Sequence, residues 1–417
     1  MKNLRIKSSY LLPVMCAALI TQTARAELFS IEVQSEGETY QQSYDNLSDM
    51  LDALDFDEVS NYIPAYTDSS AITTVVNFRG VPVVLSSPQN SSDITMSIGA
   101  IDVSELFQGS SRDDSMDLLS DWYEGEGDDA LTRLLQELAA STPSDPVAGN
   151  PTSLMSRTVG NDFDYAMDTG AMSGVELSNA GQSINGNMVS VFARYSNYSA
   201  DGIESREYSL PLAYTVRFDN SEDRLIIRVP VAYVMYDGSE VYNLGLGIGY
   251  GRQMNPQWSL TPALGYSLVG SEDVGSLSQL VSTSLTSSYA IPLAEYELTI
   301  GNMLGYYSTL PTEAGDISQN PEISNTVLRN GASLNIPTPR LVADTSVEVF
   351  ITDTRYFGSE LYIDQYNEIG FSFGKDKTVV TEDDGSYVNY IRRVRAGVKY
   401  LFSDNSEGYS LNFGYTF

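Results

Sequence analysis

Histidine is missing from all 417 residues. That removes imidazole acids and bases, histidine-held zinc, and the Ser-His and Cys-His pairs that activate nucleophiles. Cysteine is nearly missing too: Cys16 stands alone, so no disulfide can form within one chain. Basic residues are scarce, 23 Lys and Arg against 55 Asp and Glu, and the formal net charge of −32 disfavours nucleic acid and bare anionic surfaces as partners. No stretch reaches the roughly 20 consecutive apolar residues that carry a helix across a bilayer. No period marks a solenoid. Among so many carboxylates nothing fixes two at a working distance, so no catalytic residue, metal or cofactor is assigned and the chain reads as a non-enzyme. The acidic run from Glu124 to Asp129 lacks the ligand spacing of a calcium loop and reads as solvated.

The chain opens with Lys2, Arg5 and Lys7, continues through an apolar run from Tyr10 to Ile20, and reaches Ala24-Arg25-Ala26. A basic start, a short apolar middle and a small-x-small end predict a secretory signal over residues 1–26, cleaved before Glu27. Cys16 would leave with it. The residues ahead of Cys16, Leu12-Pro13-Val14-Met15, lack the small side chains of a lipoprotein site.

Residues 27–142 read as a small α+β domain. Leu28 to Ser35 alternates like a strand, Tyr40 to Leu54 has helical spacing in Tyr44, Leu47, Leu51 and Leu54, and strand-like runs follow at 71–85 and 94–103. Two further helical stretches lie at 115–123 and 130–140, the second with Leu131, Leu134, Leu135 and Leu138 on one face. Pro143, Pro146, Gly149 and Pro151 then mark a linker or sharp turn that leads residues 143–187 toward the rest of the chain.

From residue 188 to 417 the pattern changes to segments about ten residues long, apolar or aromatic at every second position. One face of 206–218 carries Tyr208, Leu210, Leu212, Tyr214, Val216 and Phe218, while Glu207, Ser209, Ala213, Thr215 and Arg217 take the other. Aromatic residues stand at the ends of these apolar faces, where a bilayer meets water. Twelve such segments fall near 188–198, 206–218, 224–236, 241–252, 258–269, 277–291, 295–307, 323–336, 341–355, 361–381, 386–402 and 407–417. The fold class that follows is mainly β: an antiparallel transmembrane β-barrel of about twelve strands behind a small α+β domain. A soluble β-sandwich is the alternative; the export signal, the segment length and the aromatic ends stand against it. Short links are expected on the periplasmic side and longer ones, such as 307–325, outside. Asp383-Asp384-Gly385 is expected to turn a long hairpin between the tenth and eleventh strands that overruns the membrane; a miscounted pair of short strands is the alternative.

If the apolar faces meet lipid, the opposite faces line the lumen and gather Arg194, Arg217, Arg228, Arg393, Arg395 and Lys399. Like charges in a narrow pore repel one another. The acidic segment Asn161 to Asp168, with Asp162, Asp164 and Asp168, can form about two turns of helix and thread that lumen, with inward Gly245, Gly247 and Gly249 leaving it room. Hydrated arginines around an open pore, with the acidic segment as a periplasmic linker, are the alternative.

The last segment places Tyr409, Leu411, Phe413, Tyr415 and the terminal Phe417 on one face. An aromatic residue closing such a strand resembles the signal read by the barrel-assembly machinery. A barrel of this size with an acidic helical leader and a terminal Phe resembles the translocator domain of autotransporters, in particular solitary autotransporter-like barrels without a long passenger. The resemblance covers roughly residues 150–417. It implies a Gram-negative outer membrane as location, lipid and lipopolysaccharide as surroundings, and a barrel that anchors and displays the segment ahead of it. The short 27–142 domain departs from the family where function is usually carried, and its ligand is unread. The second reading is a diffusion channel whose basic lumen favours anions, and the third is a structural component of the envelope, which the sequence does not separate from the other two.

Overall fold

The computed structural model describes residues 28–54, 56–124, 127–167, 188–218, 221–314, 317–376 and 394–416. The leader, Asp168, Arg393, Phe417 and the expected turn at 383–385 lie outside them.

The front domain is one six-stranded antiparallel sheet, β1 (Phe29–Ser35), β2 (Glu38–Tyr44), β3 (Ile72–Phe78), β4 (Val81–Ser87), β5 (Ile94–Ile98) and β6 (Val103–Phe107), in the order β2-β1-β3-β4-β5-β6. Four helices accompany it: α1 (Leu47–Asp52), α2 (Phe56–Tyr62), α3 (Arg112–Glu124) and α4 (Asp128–Ser141). The helical reading of 40–54 is corrected. Tyr40 to Tyr44 belongs to β2, and the helix starts only after Asn46, whose side-chain oxygen caps it by accepting from the Asp49 amide at 2.8 Å. The run 71–85 divides into β3 and β4 at Arg79-Gly80, both with positive φ, the geometry of a tight hairpin. Arg112 is buried and donates to Ser87 Oγ (3.0 Å), Tyr66 Oη (3.0 Å) and the Ser70 carbonyl (2.5 Å), which ties the loops at the top of β3 and β4 to α3.

Under α1, Tyr62 stacks on Tyr40 with ring centroids 4.1 Å apart. Burial, helped by the neighbouring phenols, pushes the Tyr62 hydroxyl up to about 12. Because the folded value lies above the ordinary one near 10, this group's contribution to stability is complete below pH ~10 and is lost as pH rises through ~12. Titration with base is therefore expected to loosen the front domain over that window. Tyrosinate absorbance should rise as α2 amides lose protection relative to their base-catalysed intrinsic exchange rate; a protection factor that stays flat across the window would contradict it.

Twelve strands close into the barrel: β7 (Met188–Ala200), β8 (Ile203–Arg217), β9 (Arg224–Tyr236), β10 (Ser239–Asn255), β11 (Trp258–Ser271), β12 (Ser276–Leu293) and β13 (Tyr296–Leu310), then, after the small hairpin β14 (Thr312–Ala314) and β15 (Ile317–Gln319), β16 (Ser324–Pro337), β17 (Thr345–Gly358), β18 (Gln365–Lys375), β19 (Val394–Phe402) and β20 (Glu407–Thr416). The ring is sealed by β20 on β7, with Leu411 opposite Tyr195 and Thr416 opposite Ser190. Closure leaves no strand edge to water or lipid. The count and antiparallel order match the sequence reading. Several ends shift by two or three residues, and two starts move by four. The ninth strand starts at Thr345, because 338–344 is a turn that leaves Leu341 73% exposed. The tenth starts at Gln365, because the amides of Tyr362 and Ile363 are drawn off to the carbonyls of Ala139 and Gly149.

Alternation puts Leu and Tyr on the outside and Ser, Thr, Gly and charge inside. Around one end, Tyr409, Tyr195, Tyr208, Tyr233 and Tyr242 form a continuous belt, neighbouring centroids 5.2 to 6.3 Å apart. Tyr233 and Tyr242 both donate their hydroxyls to Glu240. Tyr250 marks the other end of β10; eight residues at ~3.3 Å each, tilted ~40°, give a band ~20 Å tall, close to that of an outer-membrane barrel. Leu246, at its middle, is exposed. Leu246→Arg is expected to cost about 2–4 kcal/mol of stability in vesicles, whereas Leu118→Arg on exposed α3 stays within about 0.5 kcal/mol. Urea unfolding read by gel mobility checks this, and equal effects would mean that the Leu246 face does not meet lipid.

The barrel has a near rim, where β7 starts and β20 ends, and a far rim. Long links were expected on one rim only. The far rim does hold the 311–323 excursion, but it also holds two-residue turns at Asp201-Gly202 and Asp237-Gly238, all four residues with positive φ. The reason is what sits there. The front domain rests on the far rim: Leu47 N donates to the Asp273 carbonyl (2.8 Å) and Ser239 Oγ to that of Asp45 (2.7 Å). One apolar core runs from Phe29, Ile31 and Val33 of the sheet through Val147 and Ala148 to Val234, Tyr236, Val241 and Val269 of the barrel.

The segment read as a linker or sharp turn is a set of turns in the middle of that core. Residues 142–150 are all buried. Their polar groups are satisfied internally: Arg79 Nη2 meets Asp145 Oδ2 at 2.6 Å, Asp145 Oδ1 accepts from the amides of Val147 and Ala148, and Asn150 and Thr152 bond to Tyr236 Oη of β9. The prolines and glycine fix its turns, Gly149 at φ 85° against the Ala139 carbonyl, without making it a loose tether.

Candidate functional site in the barrel lumen

Helix α5 (Leu154–Met167) lies inside the barrel, nearly every residue buried. It starts after Pro151, where Ser153 Oγ accepts from the Ser156 amide at 3.4 Å. Fourteen residues at ~1.5 Å span ~21 Å, from the far rim to the start of β9, where Arg224 Nη2 reaches the Ala166 carbonyl (3.4 Å). It is twice the length read from sequence, since the apolar Leu154, Met155 and Val159 extend it beneath the front domain.

Its two described aspartates sit among arginines. Asp162 Oδ1 pairs with Arg228 Nη2 at 2.6 Å, while Oδ2 accepts from Tyr307 Oη (2.9 Å) and Ser284 Oγ (3.3 Å). Asp164 pairs with Arg194 at 3.3 Å and lies 3.7 Å from Arg329. The rings between them add contact: Arg329 stands over Phe163 with 5.0 Å to the centroid and Arg228 over Tyr165 with 5.7 Å.

The six basic residues of the sequence reading thus divide. Arg194 and Arg228 meet the helix. Lys399 meets Glu368 of the barrel wall instead (2.6 Å), and Arg395 meets Glu348 (3.6 Å), Ser372 Oγ (2.8 Å) and the Lys375 carbonyl (2.6 Å). Arg217 sits opposite Arg224 at the near rim. Arg393 and Asp168 are outside the described residues. Tyr409, Leu411 and Phe413 face outward together, as alternation requires.

Sequence reasoning missed Arg329, which bridges Glu368 (2.5 Å) and Asp164, and the wall acids Glu348 and Glu368. The signal was present: in β16, Asn325, Val327, Arg329 and Ser333 alternate inward, and in β18 Tyr366, Glu368 and Ser372 do. The glycine reading is corrected as well. Gly247 makes room for the Arg228 guanidinium, to which an added Cβ would come within 2.8 Å, rather than for the helix. The helix is admitted by Gly331, where Phe163 rests, and by Gly301, where Met167 does. On its other side a narrow gap is lined by the polar Arg157, Asn161, Glu207, Ser209 and Asn243 and by the apolar Leu154, Pro230 and Leu244.

A closed wall, an apolar outer band between aromatic belts and a charged interior leave one class. The chain is a transmembrane β-barrel of the outer-membrane type. No protein-family model and no curated protein matches it. Among solved structures the barrel protein is similar to the translocator domain of the autotransporter NalP from Neisseria meningitidis, at 11% identity over 63% of this chain and 95% of that one, TM-score 0.45. It is also similar to the transport unit of the autotransporter AIDA-I from Escherichia coli, 12% identical over 63% and 98%, TM-score 0.36. The NanC porin is 9% identical over 54% and 98%, TM-score 0.34.

Proposed function

We propose that the barrel is an autotransporter-like anchor that holds its own front domain on the outer face of the outer membrane, with α5 closing the lumen behind it. One observation carries this: the chain passes from a domain seated on the far rim, through the lumen as α5, toward the near rim where β7 begins. If the near rim is periplasmic, as an even strand count with both ends on one side suggests, the domain lies outside. The Asp162–Arg228 and Asp164–Arg194 pairs and the continuous apolar core hold helix and domain in place. A filled lumen favours anchoring over the anion channel. On this reading residues 1–26 direct export, and Tyr409, Leu411, Phe413, Tyr415 and Phe417 address the assembly machinery.

The test is epitope labelling of intact cells with tags in three turns: Glu36-Gly37 of the front domain, the 311–323 excursion, and 256–257 at the near rim. Labelling of the first two and not the third is expected. Labelling of the third alone places the domain in the periplasm and ends the display reading.

A further inference from the structure

One face of the front sheet is uncovered. The register sets Phe29, Ile31 and Val33 on the same side as Val76, Leu85, Met96 and Phe107, and all the apolar packing with α1 to α4 and the barrel is on that side. The other side has a central row, Gln41, Glu32, Val75, Val84, Ser97 and Ser104, one residue per strand and each directly opposite the next. Rows to either side add Ser, Thr, Gln and Asn, with Pro82 and Leu106; Leu106 is 55% exposed. Among the described residues none on this face is buried.

Charge is what sets this face apart. Glu32 is its one acidic or basic side chain, in a chain of net charge −32 whose helices α3 and α4 carry Asp113, Asp114, Asp117, Asp121, Asp128 and Asp129. Two copies of so acidic a molecule repel wherever their acidic surfaces approach. This sheet is a broad surface on which they can meet with a single carboxylate, Glu32, from each copy. Its small Ser, Thr and Val side chains let two sheets approach to the ~10 Å of ordinary sheet packing.

The area is sufficient for weak pairing. Six strands at ~4.8 Å and about six residues at ~3.3 Å give roughly 500 Å² per copy. Two such faces bury about 1,000 Å², the lower bound of a specific interface and the size of a transient one. Copies confined to one membrane, or to two apposed ones, are at a high effective concentration, where weak contacts suffice.

We infer that the open face of β1 to β6 is a homotypic docking surface, which pairs face to face with the same sheet of a second copy. Screening the acidic surroundings strengthens it, so pairing rises with salt, opposite to an interface made of ion pairs. The inference does not depend on which side of the membrane the domain occupies.

The full-length protein in detergent micelles is examined by sedimentation velocity over a concentration series at about 0.05 M and about 0.5 M salt. The expected result is a dimer favoured at the higher salt and weakened at least tenfold by both Val84→Glu and Val84→Lys, with circular dichroism unchanged. The two signs of charge matter: a loss confined to Val84→Glu reflects net charge and counts against a specific face. A cysteine at position 84, in a Cys16→Ser background, should cross-link two copies, while one at Glu36 should not. A monomer under every condition overturns the proposal, as does a dimer indifferent to both charges at Val84. Retention of a monomeric protein on neutral dextran, abolished by Val84→Glu, overturns it in favour of a glycan partner.

Discussion

Asp162→Ala is expected to cost the folded barrel about 3–5 kcal/mol, the usual penalty for removing one partner of a buried pair, and to raise the conductance in planar bilayers above that of the parent protein. Arg228 is buried and gives its charge to Asp162 at 2.6 Å; without the carboxylate it keeps a ring contact with Tyr165 and loses its counter-charge. Tyr307 Oη and Ser284 Oγ lose an acceptor in the same step. Asp162→Asn keeps one acceptor oxygen and turns the other position into an amide donor that a Tyr307 or Ser284 hydroxyl can accept, so it should cost less. The decisive comparison is Arg228→Met with Asp162→Ala: if the pair holds the helix, the double variant is more stable than the sum of the single losses predicts, by 0.5 kcal/mol or more. Additive losses would mean that each residue is held by its wall contacts alone, and that α5 is kept in place by its apolar side. A conductance equal to the parent's in all three variants would show that the helix does not control the pore.

The barrel was legible in the sequence because period two is enforced by two solvents at once. Lipid on one side and a polar lumen on the other leave no position free to break the alternation, so Tyr208 to Val216 could be assigned to faces residue by residue. Tyr40 to Leu54 was misread for the opposite reason. The edge strand β2 is mostly exposed, its outward residues are free to vary, and the residual spacing of Tyr44, Leu47 and Leu51 happened to suit a helix. Asp162 and Asp164 were legible as partners of an arginine cluster, but their specific mates were not, since spacing along a strand gives the face and not the depth. Lys399 and Arg395 share the lumen with α5 yet satisfy wall acids. The buried joint at 142–150 was hidden by composition: Pro, Gly, Ser and Asp are written alike whether a turn faces water or packs against Tyr236.

That joint yields the second large effect. Arg79→Ala leaves the Asp145 carboxylate in an apolar core with two amide donors and no counter-charge, and is expected to weaken seating of the front domain on the rim by about 3–5 kcal/mol. The loss should be local. The barrel wall and the Asp162–Arg228 pair lie elsewhere, so gel mobility of the folded barrel is expected to stay as in the parent, while residues 142–153 gain amide exchange and become open to protease. Arg79→Met with Asp145→Asn removes both charges and keeps the amide acceptor, and should recover much of the protection. If 142–153 stays closed in Arg79→Ala, the apolar contacts of Val147 and Ala148 alone hold the domain down. If barrel mobility falls together with that protection, the single core running from sheet to lumen is one cooperative unit, and the front domain is a structural part of the barrel rather than cargo resting on it.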